Sequence, residues 1–259
     1  MIGRIPFLLA LLMLAMLEQT WPAKSQNLAE HPAECRVAEH QVEHNFHLPQ
    51  VTQAIAAKRL SILVLGAGSS LLPGTSGAKY AYPARLQHAL EEKLPGVEVK
   101  LTTDVRAKRS AAEMVKSLVP ALVVAKPALV VWQTGTVDAM QGIDPDQFSH
   151  NLDTGINISR SAGADVVFIN PQYSPRTESM IALGTYAEIM RWVALQQEVP
   201  LFDRFSVMKT WADLGTFDLY SATKKLDMAE RVHDCIGRLL ADLVTEAAKP
   251  DEPHAEGGR

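Results

Sequence analysis

From Leu60 onward the chain alternates between short, continuous apolar runs and longer segments whose apolar residues recur at helical spacing. The runs LSILVLGAG, VEVKLTTDV, ALVVWQTG, ADVVFINPQ and VPLFD have the length and composition of strands. Between them AYPARLQHALEEKL, SAAEMVKSLVPALVVA, DPDQFSHNLDTGINISRSAG and a segment from Glu178 to Gln197 read as helices. A polar stretch follows the last strand, and DMAERVHDCIGRLLADLVTEAA then predicts an amphipathic helix with Val232, Ile236, Leu239, Leu240 and Leu243 on one face. Strands apolar on both faces and separated by helices imply a sheet covered on both sides. The expected fold is a three-layer α/β/α sandwich with a doubly wound, mainly parallel five-stranded sheet of the flavodoxin-like kind. In such sheets ligands gather beyond the carboxyl ends of the strands. The stretches to inspect are therefore GAGSS, TTDVRAK, GTVD and NPQYSP.

Ahead of the sheet, Arg4, an apolar stretch from Phe7 to Leu17 and the small-x-small sequence Ala23-Lys24-Ser25 have the layout of a cleaved secretory signal. Its apolar core is short for a membrane span, an uncleaved anchor being the other reading. The organisation expected is a signal peptide over 1–25, a polar and helical segment over 26–57, the α/β domain over 58–248 and a disordered tail over 249–259. Such a protein is exported, periplasmic or secreted, with no stable membrane insertion once the signal is removed. In an oxidising compartment the only two cysteines, Cys35 and Cys235, either pair or stay buried and separate. A net charge of −4 gives no electrostatic footprint for nucleic acid. His40, His44 and His47 read as a solvated helix face, since no fuller ligand set accompanies them. No metal or cofactor is expected, and the oligomeric state stays open.

The chemistry rests on two distant places. GAGSS is a glycine-rich turn that presents Ser69 and Ser70, without the glycine spacing of a dinucleotide site or the lysine of a phosphate loop. His233 lies near the start of the last helix, with Glu230 three residues earlier and Asp227 six earlier. A serine becomes a nucleophile when a base takes its proton, and the base needs a carboxylate to fix its tautomer.

In this order, GAGSS, TTDVRAKRSAAEM, GTVD and ERVH resemble the blocks of the SGNH hydrolases, also called GDSL esterases or lipases. Those enzymes carry Gly-Asp-Ser after the first strand, a glycine after the second, Gly-x-Asn-Asp after the third and Asp-x-x-His before the last helix. The resemblance spans about residues 60 to 245 and implies an exported serine esterase that hydrolyses small acyl esters, on metabolites or glycans, through an acyl-enzyme. It implies Ser69 as nucleophile with Ser70 as runner-up, because a direct overlay places Gly68 at that position. His233 becomes the base and Glu230 its orienter in place of the family's aspartate. The oxyanion donors fall on the backbone around Ala107 and Lys108 and on Gly135. Val137 stands where the family has its donor asparagine; valine cannot donate, and losing one such donor costs about 10²–10³ in rate. Thr136, Asn170, Gln172 or Arg106 are the substitutes at hand, and Thr136, Val137, Asp138, Asn170, Gln172 and Tyr173 are expected to line the substrate cleft. Two further readings stay open: a binding module that keeps the fold without turnover, and an acyl transferase.

Overall fold

The computed structural model describes residues 32–38, 46–220 and 226–249. The predicted signal, His40, His44 and the tail apart from Lys249 lie outside the described residues. Five strands, β1 (Arg59–Gly66), β2 (Glu98–Val105), β3 (Leu129–Gln133), β4 (Asp165–Ile169) and β5 (Leu201–Phe202), form one all-parallel sheet in the order β2-β1-β3-β4-β5. That is the doubly wound sandwich expected from the apolar runs. β1 and β3 are central and almost wholly buried, which is why they read as continuous rather than alternating hydrophobic sequence.

The helices follow the strands. α1 (Pro49–Ala56) precedes β1; α2 (Gly77–Tyr80) and α3 (Tyr82–Lys93) lead to β2; α4 (Ala111–Ala125) leads to β3. Then come α5 (Thr136–Gln141), α6 (Pro145–Ser161), α7 (Pro175–Glu178), α8 (Leu183–Gln196), α9 (Arg204–Asp213) and α10 (Leu226–Ala247). The starts are locally encoded. Ser110 and Glu113 close a capping box on α4, and the Asp144 carboxylate accepts from the backbone of Asp146 and Gln147 at α6. α1 takes its cap from a distance: the Asp165 carboxylate accepts from the Gln50 and Val51 amides at 2.8 and 3.0 Å, tying the segment before β1 to the foot of β4.

Three elements differ from the sequence expectation. β3 stops at Gln133, because Gly135 at φ 93° turns the chain into the short helix α5. The helix expected over 178–197 starts later, as α8 at Leu183, and the short helix α7 ends at Glu178 before it. The stretch after β5, polar by composition, holds α9, capped by Asp203 accepting from the Ser206 amide.

α10 packs along α3, and Cys35 is joined to Cys235 on α10, closing a separation of 200 residues. The chain-entropy account of such a long loop gives roughly 5 kcal/mol. The approach of α10 to α3 is so close that a Cβ at Gly237 would lie 2.5 Å from the Arg85 Cβ and 2.8 Å from its backbone carbon. Gly237→Ala therefore lowers the thermal midpoint although alanine is the better helix former; the clash costs about 1–3 kcal/mol and is read by calorimetry against wild type.

Candidate functional site

Every strand delivers something to one end of the sheet. After β1 the chain makes a 3-10 turn, Gly68–Ser70. With three residues per turn, neighbouring side chains point about 120° apart, and the two serines part company. Ser69 lines a pocket of about 510 Å³, whereas Ser70 is buried beneath it. The Ser70 hydroxyl donates to the Gln133 side-chain oxygen at 2.8 Å and lies 2.9 Å from the Tyr82 hydroxyl. The same Gln133 oxygen accepts from the Ala67 amide at 3.1 Å, which fixes the turn. Ser70 is thus a structural brace, and the runner-up assignment to it is corrected. Gly68 also lines the pocket; a Cβ there would find only Ala107, at 3.8 Å.

The end of β5 brings a residue that the sequence reading passed over. Arg204, the first residue of α9, has no exposed surface, and its guanidinium meets no carboxylate among the described residues. Nη1 donates to the Ser69 carbonyl and Nη2 to the Ser69 hydroxyl oxygen, both at 3.2 Å, while Nε is buried with no partner. Burial, only partly offset by the nearby Tyr82, brings its pKa down to about 10. A hydroxyl oxygen that accepts from a cation keeps its own proton for donation and is stabilised toward the alkoxide. Arg204 is set by its neighbour. Asp203 accepts from Arg191 Nε at 2.7 Å and from the Asn170 side-chain amide at 2.7 Å, and Asn170 Oδ1 accepts from the Phe205 amide at 2.9 Å. One rule would have found Arg204: inspect the first few residues after every strand, the fifth included.

His233 lines the same pocket but is held differently from expectation. The first N–H groups of a helix have no partner within it, and the Tyr82 amide at the start of α3 donates to His233 Nδ1 at 2.9 Å. A nitrogen that accepts carries no proton, so the neutral ring holds its proton on Nε2. Burial, and then the Arg204 charge, push the His233 pKa down to about 3. The expected arrangement is corrected on this point: Glu230, half-buried, and Asp227, exposed, are not hydrogen-bonded to the imidazole, and His233 presents a donor rather than a base.

Of the other residues expected in the cleft, Thr136, Gln172 and Tyr173 line the pocket, and the Thr136 hydroxyl is buried without a partner. Asp138 does not reach it: its carboxylate is fully buried, accepting from the Ala111 amide and from Thr134, with burial raising its pKa. Asn170 is consumed by Asp203 and Phe205, and Val137 packs against the core. Gly135 abuts Pro171, where a Cβ would meet the ring at 2.9 Å. Ala107 stands beside Gly68, Lys108 is exposed at φ 63°, and Arg106 pairs with Asp104 at 3.2 Å. The remaining wall is mostly apolar, with Leu71, Leu72, Met208, Leu219, Val232 and Ile236, and carries Ser174 and Thr177 as well.

A sequence model of the Non-GDSL lipase-like family matches residues 34–250. No curated protein matches the chain. Among solved structures, TesA is 24% identical with a TM-score of 0.55, covering 70% of this chain and 98% of its own. A lipase/acylhydrolase from Enterococcus faecalis is 19% identical with a TM-score of 0.59, covering 74% of this chain and 98% of its own. A catalytic mutant of the acetylxylan esterase Axe2 from Geobacillus stearothermophilus is 14% identical with a TM-score of 0.59, covering 71% of this chain and 94% of its own.

The state of His233 has a measurable consequence. Its folded pKa, about 3, lies below the ordinary 6.5, so on acidification the unfolded chain binds the proton first. The stabilisation is complete above pH 6.5 and is lost as pH falls toward 3. Chemical denaturation at pH 7.5 and pH 5 should show wild type losing roughly 2 kcal/mol more than His233→Gln, at about 1.4 kcal/mol per pH unit below 6.5. Equal losses would mean that the imidazole titrates normally in the folded protein.

Proposed function

Because the chain belongs to the Non-GDSL lipase-like family, as a divergent relative of the SGNH hydrolases, we propose that it is an exported acyl-ester hydrolase whose nucleophile is Ser69. The observation that carries this reading is the Arg204 guanidinium on the Ser69 hydroxyl at 3.2 Å, at a pocket whose lining is mostly apolar. Ser69 Oγ attacks the ester carbonyl carbon, the bond to the alcohol oxygen breaks, and the departing alcohol takes the Ser69 proton. Water then cleaves the acyl-serine, releases the acid and returns a proton to Ser69. Arg204 supplies by charge part of what a base supplies elsewhere, since it favours the alkoxide. His233 Nε2–H serves the developing oxyanion, a role a neutral imidazole performs well because it stays a donor through the reaction. It stands in for the amide that Val137 lacks. The Cys35–Cys235 bond is compatible with an oxidising destination and an N-terminal export signal. The esterase neighbours make small-molecule or glycan esters the substrates to try first.

A second reading, binding without turnover, is favoured by the Tyr82 amide on His233 Nδ1, which leaves the site without a histidine base. Hydrolysis of p-nitrophenyl acetate by purified protein separates the two. The hydrolase reading expects slow turnover that Ser69→Ala abolishes, and a kcat/KM with no inflection from His233 between about pH 5 and 8, its pKa lying near 3. Wild type indistinguishable from buffer across short acyl chains decides for binding.

A further inference from the structure

Among the polar groups that line the pocket, which include Thr136, Gln172, Ser174 and Thr177, Ser69 and His233 share one chemical sense. Ser69 Oγ already accepts from Arg204 and has its own proton to give. His233 has its acceptor nitrogen occupied by Tyr82, and Nε2–H is left without a partner among the described residues. Directly behind Ser69 lies the Arg204 guanidinium, wholly buried, with an unpartnered Nε and, among the described residues, no carboxylate to balance its charge. A buried cation is costly unless an anion or several acceptors face it, and among the described residues Arg204 donates to the two oxygens of Ser69 alone. Pocket-lining carboxylates are lacking among the described residues. Two donors with a cation behind them select a group that only accepts and carries negative charge, while Leu71, Leu72, Met208, Leu219, Val232 and Ile236 select an apolar body.

We propose that this pocket is a receptor for an amphiphilic monocarboxylate, its headgroup taking the Ser69 and His233 protons opposite the Arg204 charge and its hydrocarbon tail lying along the apolar wall. This goes beyond ester hydrolysis, because such an acid is bound as a ligand whether or not the protein turns over an ester. A quaternary ammonium would meet the buried cation.

The experiment is calorimetric titration of the intact, disulfide-bonded protein with octanoate, 1-octanol and octyltrimethylammonium. These share one tail and differ in headgroup charge. Octanoate should bind at least about tenfold more tightly than 1-octanol, the scale of hydrogen bonds to a charged group, and the ammonium should not bind. Arg204→Met should erase the preference. Since burial of Arg204 puts folding of that variant at risk, Ser69→Ala is the second arm: octanoate affinity should fall about tenfold with 1-octanol unchanged. Equal binding of octanoate and 1-octanol, absence of octanoate binding, or parallel weakening of both by Ser69→Ala overturns the proposal. No ester is present, so an inactive protein in the esterase assay leaves the proposal standing, and failure of octanoate to bind leaves the hydrolase reading to its own assay.

Discussion

The hydrogen bond from the Tyr82 amide to His233 Nδ1 governs the chemistry of this molecule. It arises from a backbone need: α3 begins at a buried residue, where an unpaired N–H is expensive. Meeting that need with an imidazole decides which ring nitrogen holds the proton. Arg204 acts in the same direction, since a protonated ring would face a buried guanidinium. Helix capping and charge repulsion thus agree on a neutral ring with its N–H on Nε2. In a hydrolytic triad a carboxylate on Nδ1 makes Nε2 the acceptor; here the polarity of the ring is reversed.

The second constraint is the start of α9. β5 is only two residues long, so Asp203 and Arg204 reach the end of the sheet at once. Asp203 gathers Arg191, Asn170 and the Ser206 amide, and burial of this carboxylate is outweighed by its partners, which hold its pKa low. With Asp203 facing α8 and β4, Arg204 is left to the Ser69 side. The pair divides the charges: the carboxylate serves the scaffold and the guanidinium serves the site. Asn170, expected in the cleft, belongs to the scaffold for the same reason.

The sandwich was legible because parallel strands buried on both faces must be written as unbroken apolar runs, and the helices between them as amphipathic ones. α5 and α9 were not, the first because Gly135 ends a run that looks like continuing strand, the second because its capping Asp203 sits in a stretch polar by composition. In the site, position in sequence located the serine turn and His233 but not their orientation. Ser69 and Ser70 are neighbours in sequence and opposites in space, a distinction made by the 3-10 turn and by Gln133 beneath it. Glu230 stands at the spacing of an orienting acid, yet the ring is already engaged from α3, an element more than a hundred residues away in the chain.

A donor-only site has a cost built into its design. The groups that would hold the oxyanion of a tetrahedral intermediate are the same groups that would hold the carboxylate released from it. Interactions shared by transition state and product lower a barrier and deepen the well that follows it, and only their difference accelerates the reaction. A base relieves this tension by changing protonation state between steps, which an imidazole neutral down to about pH 3 does not do. Turnover and retention of the acid are therefore set against each other by one bond, the Tyr82 amide on Nδ1: while it persists, the pocket keeps its affinity for acids, and only its rupture would free His233 to exchange protons with Ser69.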